Sequence, residues 1–168
     1  MEKSALQTQA TVITPEDLYE HWQGHRRLTR KMIEAFPEDK LFSYSIGGMR
    51  PFSALAMEMV MMAAPGIHGV VSGVWKEFGT LEQVKLNPEP KTKAELLEVW
   101  DGVTVEIEKY WPQIPPHRFM EKETAFGLYE GTIINHIFYF IDNEIHHRGQ
   151  GYVYLRSLGL EPPPFYER

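Results

Sequence analysis

The sequence predicts an all-α protein, a four-helix bundle with at least one crossover. Four long segments carry apolar residues at helical spacing, and long Pro-containing connections flank the third of them. No segment shows a convincing strand-like alternation of apolar and polar residues. The chain is most simply one domain, 1–168, with a loose lead-in at 1–12 and a Pro-rich tail at 159–168.

The first predicted helix spans 15–36. Thr14 is placed to cap it, Pro15 falls in the first turn, and Glu16 and Asp17 lie near the positive end of the helix dipole. Its apolar stripe comprises Leu18, Trp22, His25, Leu28, Met32 and Phe36. This spacing predicts that one face of the helix is buried in the bundle.

The second predicted helix is FSALAMEMVMMAAPG, which follows a loop, PEDKLFSYSIGGMRP. Pro65 and Gly66 predict its end, because proline lacks the N–H that a helix interior needs. The next run, IHGVVSGVWKEFG, could form a short helical continuation that its glycines weaken.

The third predicted helix, TKAELLEVWDGVTVEIEKYW, follows the connection LNPEPK and starts with a capping-box pattern at Thr92 and Glu95. Its stripe comprises Leu96, Val99, Val103, Ile107 and Tyr110. The segment PQIPPHRFMEKETAFGLYEG predicts a second extended connection. The last helix is predicted over 130–158, with Gly159 ending it.

Composition and charge exclude several classes of function. The net charge of −6 and the pI near 5.6 disfavour an electrostatic nucleic-acid binder. The chain has no cysteine and hence no disulfide, thiolate zinc site or cysteine nucleophile. Neither a signal-peptide pattern nor an apolar run of membrane-spanning length is evident. We therefore expect a soluble, cytoplasmic protein with neither nucleic-acid nor membrane partners.

The stretch DNEIHHRGQ, at 142–150 in the last helix, is the strongest candidate for chemistry. One stripe of that helix holds His136, Phe140, Asn143 and His147. Asn143 and His147 are i,i+4 neighbours, close enough to share one ion or water. His146 lies off this stripe and is expected to pair with Asp142. In the simpler interpretation, that pair is exposed and His147 is a hydrogen-bonded interior histidine.

Glu58 is the second unusual residue, because it lies in the apolar run ALAMEMVMMAA. A buried carboxylate needs a partner, such as a cation or a protonated histidine from another helix. The alternative is a glutamate at the solvent rim. His21 and His25 form a rival i,i+4 pair, but no third ligand accompanies them, so packing explains them better than a metal site.

Two of these runs resemble a known family. NEIHHRGQGYVYLRSLGLEPP is similar to the last helix, and GMRPFSALAMEM to the second helix, of the DinB-like superfamily of suspected metalloenzymes, named for a damage-inducible bacterial group. The resemblance implies an antiparallel four-helix bundle of the DinB/YfiT type with long crossover connections, often dimeric. It also implies a divalent metal held by three histidines. Activities in the superfamily include thiol-dependent transferases, a maleylpyruvate isomerase and suspected hydrolases.

The site residues match the family pattern unevenly. His147 matches the last metal-binding histidine, whereas Asn143 and Glu58 stand where the other two histidines are expected. The resemblance therefore implies a metal-dependent hydrolase or thiol transferase acting on a small molecule. Its altered site would hold Zn, Ni, Fe or Mn on Glu58, Asn143 and His147, with His147 and Glu58 catalytic. The surrounding residues would be His146, Arg148 and Gln150.

Two alternatives to the altered metal site remain open. Glu58 could pair with His147 across the bundle without metal, and such a pair could orient His147 as a general base. Alternatively, the protein could be a non-catalytic, stress-related homodimer that has lost the site, with the Met-rich second helix and the aromatic tail as candidate interface residues.

Overall fold

Four long helices dominate the computed structural model, which describes residues 12–79 and 89–168. The helices and strands are α1 (Pro15–Ala35), α2 (Glu38–Leu41), α3 (Phe52–Ser72), α4 (Lys93–Tyr110), β1 (Lys122–Ala125), β2 (Tyr129–Thr132) and α5 (Ile133–Ser157). The predicted helical fold is confirmed, with the addition of one small two-stranded hairpin. Residues 1–11 of the lead-in predicted over 1–12, and the connecting residues 80–88, lie outside the described residues.

Capping boxes begin α1 and α4; the sequence predicted the full box at Thr92 and only the capping residue, Thr14, for the first helix. The Thr14 hydroxyl accepts a hydrogen bond from the Asp17 N–H at 3.0 Å, and the Asp17 carboxylate accepts from the Thr14 N–H. Thr92 and Glu95 exchange the same two bonds at the start of α4. Each box satisfies backbone N–H groups that the first turn of a helix leaves without partners.

The predicted end of the second helix at Pro65–Gly66 is wrong, because α3 runs through both residues to Ser72. Proline at 65 cannot donate to the Met61 carbonyl one turn earlier. The Gly79 N–H supplies the missing bond to that carbonyl at 3.1 Å. A partner from outside the helix thus lets the helix tolerate an internal proline.

Side-chain contacts define how the long helices pair. Arg30 contacts Asp101, and Lys93 at the start of α4 reaches the Glu34 carbonyl near the end of α1, so these two helices are antiparallel. The pair α3 and α5 is also antiparallel, since Phe52 lies against Gly151 and Gly66 against Phe140. α3 ends beside the hairpin while α4 begins beside the end of α1, so the connection between them joins opposite ends of the bundle.

Close backbone approach holds α3 against α5. A Cβ added at Gly66 would lie 2.7 Å from the Phe140 ring, and one added at Gly151 would lie 2.5 Å from Phe52. Apolar side chains of all four long helices form the core. By length and composition α3 could cross a membrane, but 72% of that stretch is buried within the protein. α3 is therefore the central helix of this fold.

The sequence predicted that the second long connection is extended, but the structure shows that it is only partly so. It contains two short 3-10 helices, Trp111–Gln113 and Pro116–Met120, and the hairpin formed by β1 and β2. The four-residue strands lack apolar alternation, which is why periodicity did not reveal them. β2 also takes the first residues assigned to the last helix, which begins at Ile133 with Thr132 as its cap.

Arg118 fixes this hairpin to the end of α3. Its guanidinium donates to the carbonyls of Gly69 and Val70 in the last turn of α3, and also to Glu123 in β1. The Trp75 indole donates to the same carboxylate at 2.7 Å. Because two carbonyls of the last turn of α3 and a carboxylate share one buried cation, the hairpin has a defined position against the bundle.

The loop before α3 differs from the sequence prediction, whereas the end of the last helix agrees with it. The segment predicted as a loop at 37–51 contains the one-turn helix α2. Gly159, with φ of +76°, ends the last helix as predicted, since glycine adopts this left-handed conformation without a steric penalty. Phe165 and Tyr166 in the tail are exposed.

Candidate functional site

A hydrogen bond joins Glu58 in the middle of α3 to His147 on α5. Glu58 Oε1 and His147 Nε2 are 2.9 Å apart. Since a carboxylate only accepts, the ring N–H at Nε2 is the donor. The pairing across the bundle that the sequence left as one alternative is therefore present, and His147 is a buried, hydrogen-bonded histidine.

Arg50 is the second partner of Glu58. Its guanidinium donates to Glu58 Oε2, so each carboxylate oxygen has a donor. Burial alone would raise the pKa of Glu58, but the hydrogen bonds from Arg50 and His147 outweigh it and hold the pKa below its ordinary value. Glu58 is consequently an ionised, oriented carboxylate at neutral pH.

Two buried polar atoms beside this pair have no hydrogen-bond partner among the described residues. They are Asn143 Oδ1 and His147 Nδ1. Asn143 precedes His147 by one helical turn, so both belong to the stripe that the sequence predicted. With hydrogen on Nε2, a neutral His147 presents a lone pair at Nδ1, and the stripe therefore offers two acceptors.

The three predicted ligands are not all free to bind a divalent ion in this arrangement. Both oxygens of Glu58 are engaged by donors, and Arg50 already brings a positive charge to that carboxylate. The remaining candidates, Asn143 Oδ1 and His147 Nδ1, are two neutral ligands, whereas protein metal sites generally supply at least three. Within 12–79 and 89–168, no group of three or more His, Cys, Asp or Glu side chains is arranged to hold a metal ion.

Glu58 also lines a cavity of about 600 Å³ between α3, the hairpin and α5. The cavity walls are formed by Glu58, Met62, Phe78, Ala125, Phe126, Leu128, Tyr129, Glu130, Gly131, Asn135, His136, Tyr139 and Phe140. This volume lies within the range of small-molecule sites, which combine apolar and aromatic walls with a few polar groups.

Phe126 is held in this wall by an unusual backbone conformation. Its φ is +54°, a left-handed value that costs energy for a bulky residue. Its ring contacts the rings of Trp75, Phe78 and Phe140. The tight turn after β1 thus places an aromatic side chain in the cavity, and ring packing offsets the backbone cost.

His136 lies elsewhere in the same cavity, at the first turn of α5. Its Nε2 lies 3.1 Å from the Glu123 carbonyl and donates to it, because a carbonyl can only accept. Its ring also packs edge-on against Trp75. His136 and Phe140 line the cavity while His147 binds Glu58, so the predicted stripe faces α3 and the cavity along its length.

The residues predicted to surround the site do not gather there. His146 is exposed, and its hydrogen bond is with Gln150 at 3.0 Å rather than with the expected Asp142. Arg148 points towards α1, where it donates to His25 Nδ1 at 2.8 Å. A step of one residue turns an α-helix by about 100°, which is why neighbours of His147 face away from Glu58.

A buried polar cluster between α1, α4 and α5 was missed by the sequence interpretation. Glu144 accepts from the Thr29 hydroxyl at 2.6 Å and lies within 4 Å of the guanidinium groups of Arg26 and Arg148. Arg26 stacks on the Trp100 ring at 3.5 Å. Arg26 lies one helical turn after the predicted stripe residue Trp22, on the same face of α1, and this position could have signalled burial.

The second histidine pair is part of this packing rather than a metal site. The rings of His21 and His25 meet edge to face at 4.6 Å. Burial lowers the pKa of His25 to about 3, with a contribution from the guanidinium of Arg148. His25 is therefore neutral at pH 7, and its Nδ1 accepts from Arg148.

Sequence reasoning also missed Arg50 and the hairpin residues of the cavity. Arg50 precedes Pro51, the residue before α3, and lies two helical turns ahead of Glu58 in the chain. This position was the sequence signal that could have indicated a contact with Glu58. Gly127, with φ of +70°, was the corresponding turn signal for the hairpin.

Comparison with known proteins identifies relatives of this chain. The model of the DinB family matches residues 1–168. A DinB-like protein from Bacillus subtilis superposes with a TM-score of 0.70 at 20% identity, over 90% of this chain and 97% of that one. A DinB-like protein from Bacillus cereus ATCC 10987 gives 0.65 at 19% identity, with the same coverage of both chains. No protein with a curated function matches.

Proposed function

This chain belongs to the DinB family, and from that premise we propose that it binds a small, largely apolar molecule in the cavity between α3, the hairpin and α5. The observation that carries the proposal is a cavity of about 600 Å³ with an oriented, ionised carboxylate, Glu58, in its wall. A pocket with apolar walls and few fixed polar groups is the typical form of a ligand site.

In this proposal, binding takes place without a resident metal. The Arg50 guanidinium and the His147 imidazole each donate a hydrogen bond to one oxygen of Glu58. The guanidinium also supplies a positive charge beside the carboxylate, as a bound metal ion would. Because the carboxylate is held from two sides, it has a fixed direction without a metal.

A neutral fluorescent probe, N-phenyl-1-naphthylamine, tests whether the cavity takes ligands. We expect saturable binding to the wild-type protein and strong loss of binding in Leu128→Trp, which adds bulk at an exposed position of the cavity wall. Val105→Trp is the matched control, because Val105 is also exposed but lies on α4, outside the lining. Equal binding by both variants, or none by the wild-type protein, would refute the proposal.

A second candidate is the metal-dependent hydrolase or thiol transferase that the resemblance implies. It is favoured by the two unpaired buried acceptors, Asn143 Oδ1 and His147 Nδ1, which lie next to the carboxylate partner of His147. Elemental analysis of protein purified without a histidine tag separates the candidates. Stoichiometric Zn, Ni, Fe or Mn that is lost in His147→Ala would support this one; an absence of metal, with no rise in melting temperature on adding these ions, would reject it.

The remaining parts of the proposal concern partners and location. We propose a homodimer, supported by the exposed aromatic residues Phe165 and Tyr166 of the tail and Tyr139 of α5. Sedimentation that shows a monomer at all concentrations would reject it. We also propose a cytoplasmic protein without nucleic-acid or membrane partners; the net charge of −6 disfavours binding to nucleic acid and to anionic membrane surfaces.

A further inference from the structure

We propose that the ligand of this cavity is an organic cation, namely a protonated amine carried on an apolar or aromatic body. This inference rests on the proposed function, since it specifies the chemical class of the molecule that the cavity binds. It derives from the charges, the ring faces and the hydrogen-bonding groups that line the cavity.

The charged groups of the lining are of one sign. Among the described residues, the cavity wall includes two carboxylates, Glu58 and Glu130, and no lysine or arginine. Glu58 is mostly buried, whereas Glu130 is exposed at the outer part of the wall. A concave wall of one charge sign concentrates ligands of the opposite sign, and the overall charge of −6 acts in the same direction.

Five aromatic residues contribute their rings to the rest of the wall. They are Phe78, Phe126, Tyr129, Tyr139 and Phe140. The faces of such rings carry negative potential and attract ammonium groups, while their area binds the apolar part of the same ligand. An anionic ligand would meet neither a cationic side chain nor a favourable ring face.

The fixed hydrogen-bonding atoms of the wall also suit a donor. His136 uses its Nε2–H on the Glu123 carbonyl, so in the neutral ring its Nδ1 is an acceptor. Each oxygen of Glu58 has a second lone pair beyond the one that its present donor uses. An ammonium group has three N–H donors and no acceptor, which complements such groups.

Arg50 reduces the charge of Glu58 without cancelling its effect on a ligand. Its side chain is 54% exposed against 22% for Glu58, so solvent screens the guanidinium more strongly than the carboxylate. Arg50 is also not among the lining residues. A cation inside the cavity therefore meets the carboxylate directly and the guanidinium at a greater distance.

Three probes of one shape and different charge test the inference: 4-phenylbutylamine, 4-phenylbutan-1-ol and 4-phenylbutyrate. At pH 7 the amine is protonated, the alcohol neutral and the acid anionic. We expect isothermal titration calorimetry to give the tightest binding for the amine, binding about tenfold weaker for the alcohol, and the weakest for the acid. The preference for the amine should fall as the salt concentration rises.

Two charge-removing variants locate the effect. Glu58→Gln should weaken amine binding about tenfold and leave the alcohol unchanged, while Glu130→Gln should weaken amine binding only about twofold because that side chain is exposed. Since Glu130 is on the surface, its variant is expected to fold even if the change at Glu58 disturbs the bundle. Circular dichroism melting curves check the folding of both.

The outcomes separate this inference from the proposed function. If the alcohol or the acid binds as tightly as the amine, and Leu128→Trp blocks all of them, the cavity is a ligand site but the charge preference is wrong. If none of the three binds although N-phenyl-1-naphthylamine does, the cation inference is likewise overturned. Failure of the neutral dye itself would refute the proposed function.

Discussion

Two single substitutions that each remove one partner of the Glu58–His147 hydrogen bond should together lower the free energy of unfolding by more than the double substitution that removes both partners. The test uses Glu58→Met and His147→Phe, which keep approximate volume and remove the polar atoms. Glu58→Met leaves the buried His147 Nε2–H without its acceptor, and His147→Phe leaves Glu58 with only Arg50.

The expected magnitude follows from burial and charge. A buried donor or acceptor without a partner costs about 1–3 kcal/mol, and a hydrogen bond to a charged group contributes about 1.5–3 kcal/mol. Each single variant should thus lose about 1–3 kcal/mol of unfolding free energy. The double variant should lose about 1.5–3 kcal/mol less than the sum of the two, since neither end of this hydrogen bond is left unsatisfied.

Urea denaturation of the four proteins of this cycle measures the coupling at pH 7, with a chelator present and again with added zinc. The folded-state pKa of Glu58 is lowered from 4.5, so this group contributes stability above pH 4.5 that is lost as the pH falls through the folded value. The coupling should therefore decline only below pH 4.5. Additive losses at pH 7 would refute the pairing, and a coupling that requires zinc would favour the metal-dependent candidate.

Three further predictions concern the scaffold. His25, whose pKa burial lowers to about 3, should make stability fall between pH 6.5 and 3 by up to about 1.4 kcal/mol per pH unit; His25→Asn should flatten that fall in pH-dependent urea titrations, and an unchanged slope would contradict it. Gly66→Ala should cost about 1–3 kcal/mol by forcing a methyl group against Phe140, whereas the unobstructed Gly149→Ala should stabilise by about 0.5–1 kcal/mol; thermal melts compare them. Arg118→Met should lower the melting temperature and weaken dye binding, because the hairpin wall loses its anchor; unchanged dye affinity would show that the hairpin stays in place without it.

Local rules account for what the sequence predicted well. The starts of α1 and α4 depend on a capping residue and a carboxylate three positions later, so Thr14 and Thr92 were identifiable from the chain alone. The end of the last helix depends on one left-handed glycine, Gly159. Such signals involve residues within one turn of each other, and no tertiary contact is needed to interpret them.

Non-local bonds explain the corrections. α3 passes Pro65 because the Gly79 N–H reaches the Met61 carbonyl, a contact 18 residues apart along the chain. The hairpin forms from strands too short and too polar to show a period of two, and Arg118 holds it against α3. Propensity and periodicity contain no information on either bond.

The sequence by itself determined the four long helices, apart from the end of α3, and the stripe of α5 that carries Asn143 and His147, because the 100° turn per residue fixes which side chains share a face. The tertiary structure decided which side chains each helix face contacts. It brings Glu58 to His147, turns Arg148 towards α1, and adds Arg50 as the second donor to Glu58. The rotation of each helix about its axis depends on packing against all its neighbours, so the partners of a buried charge emerge only from the assembled bundle.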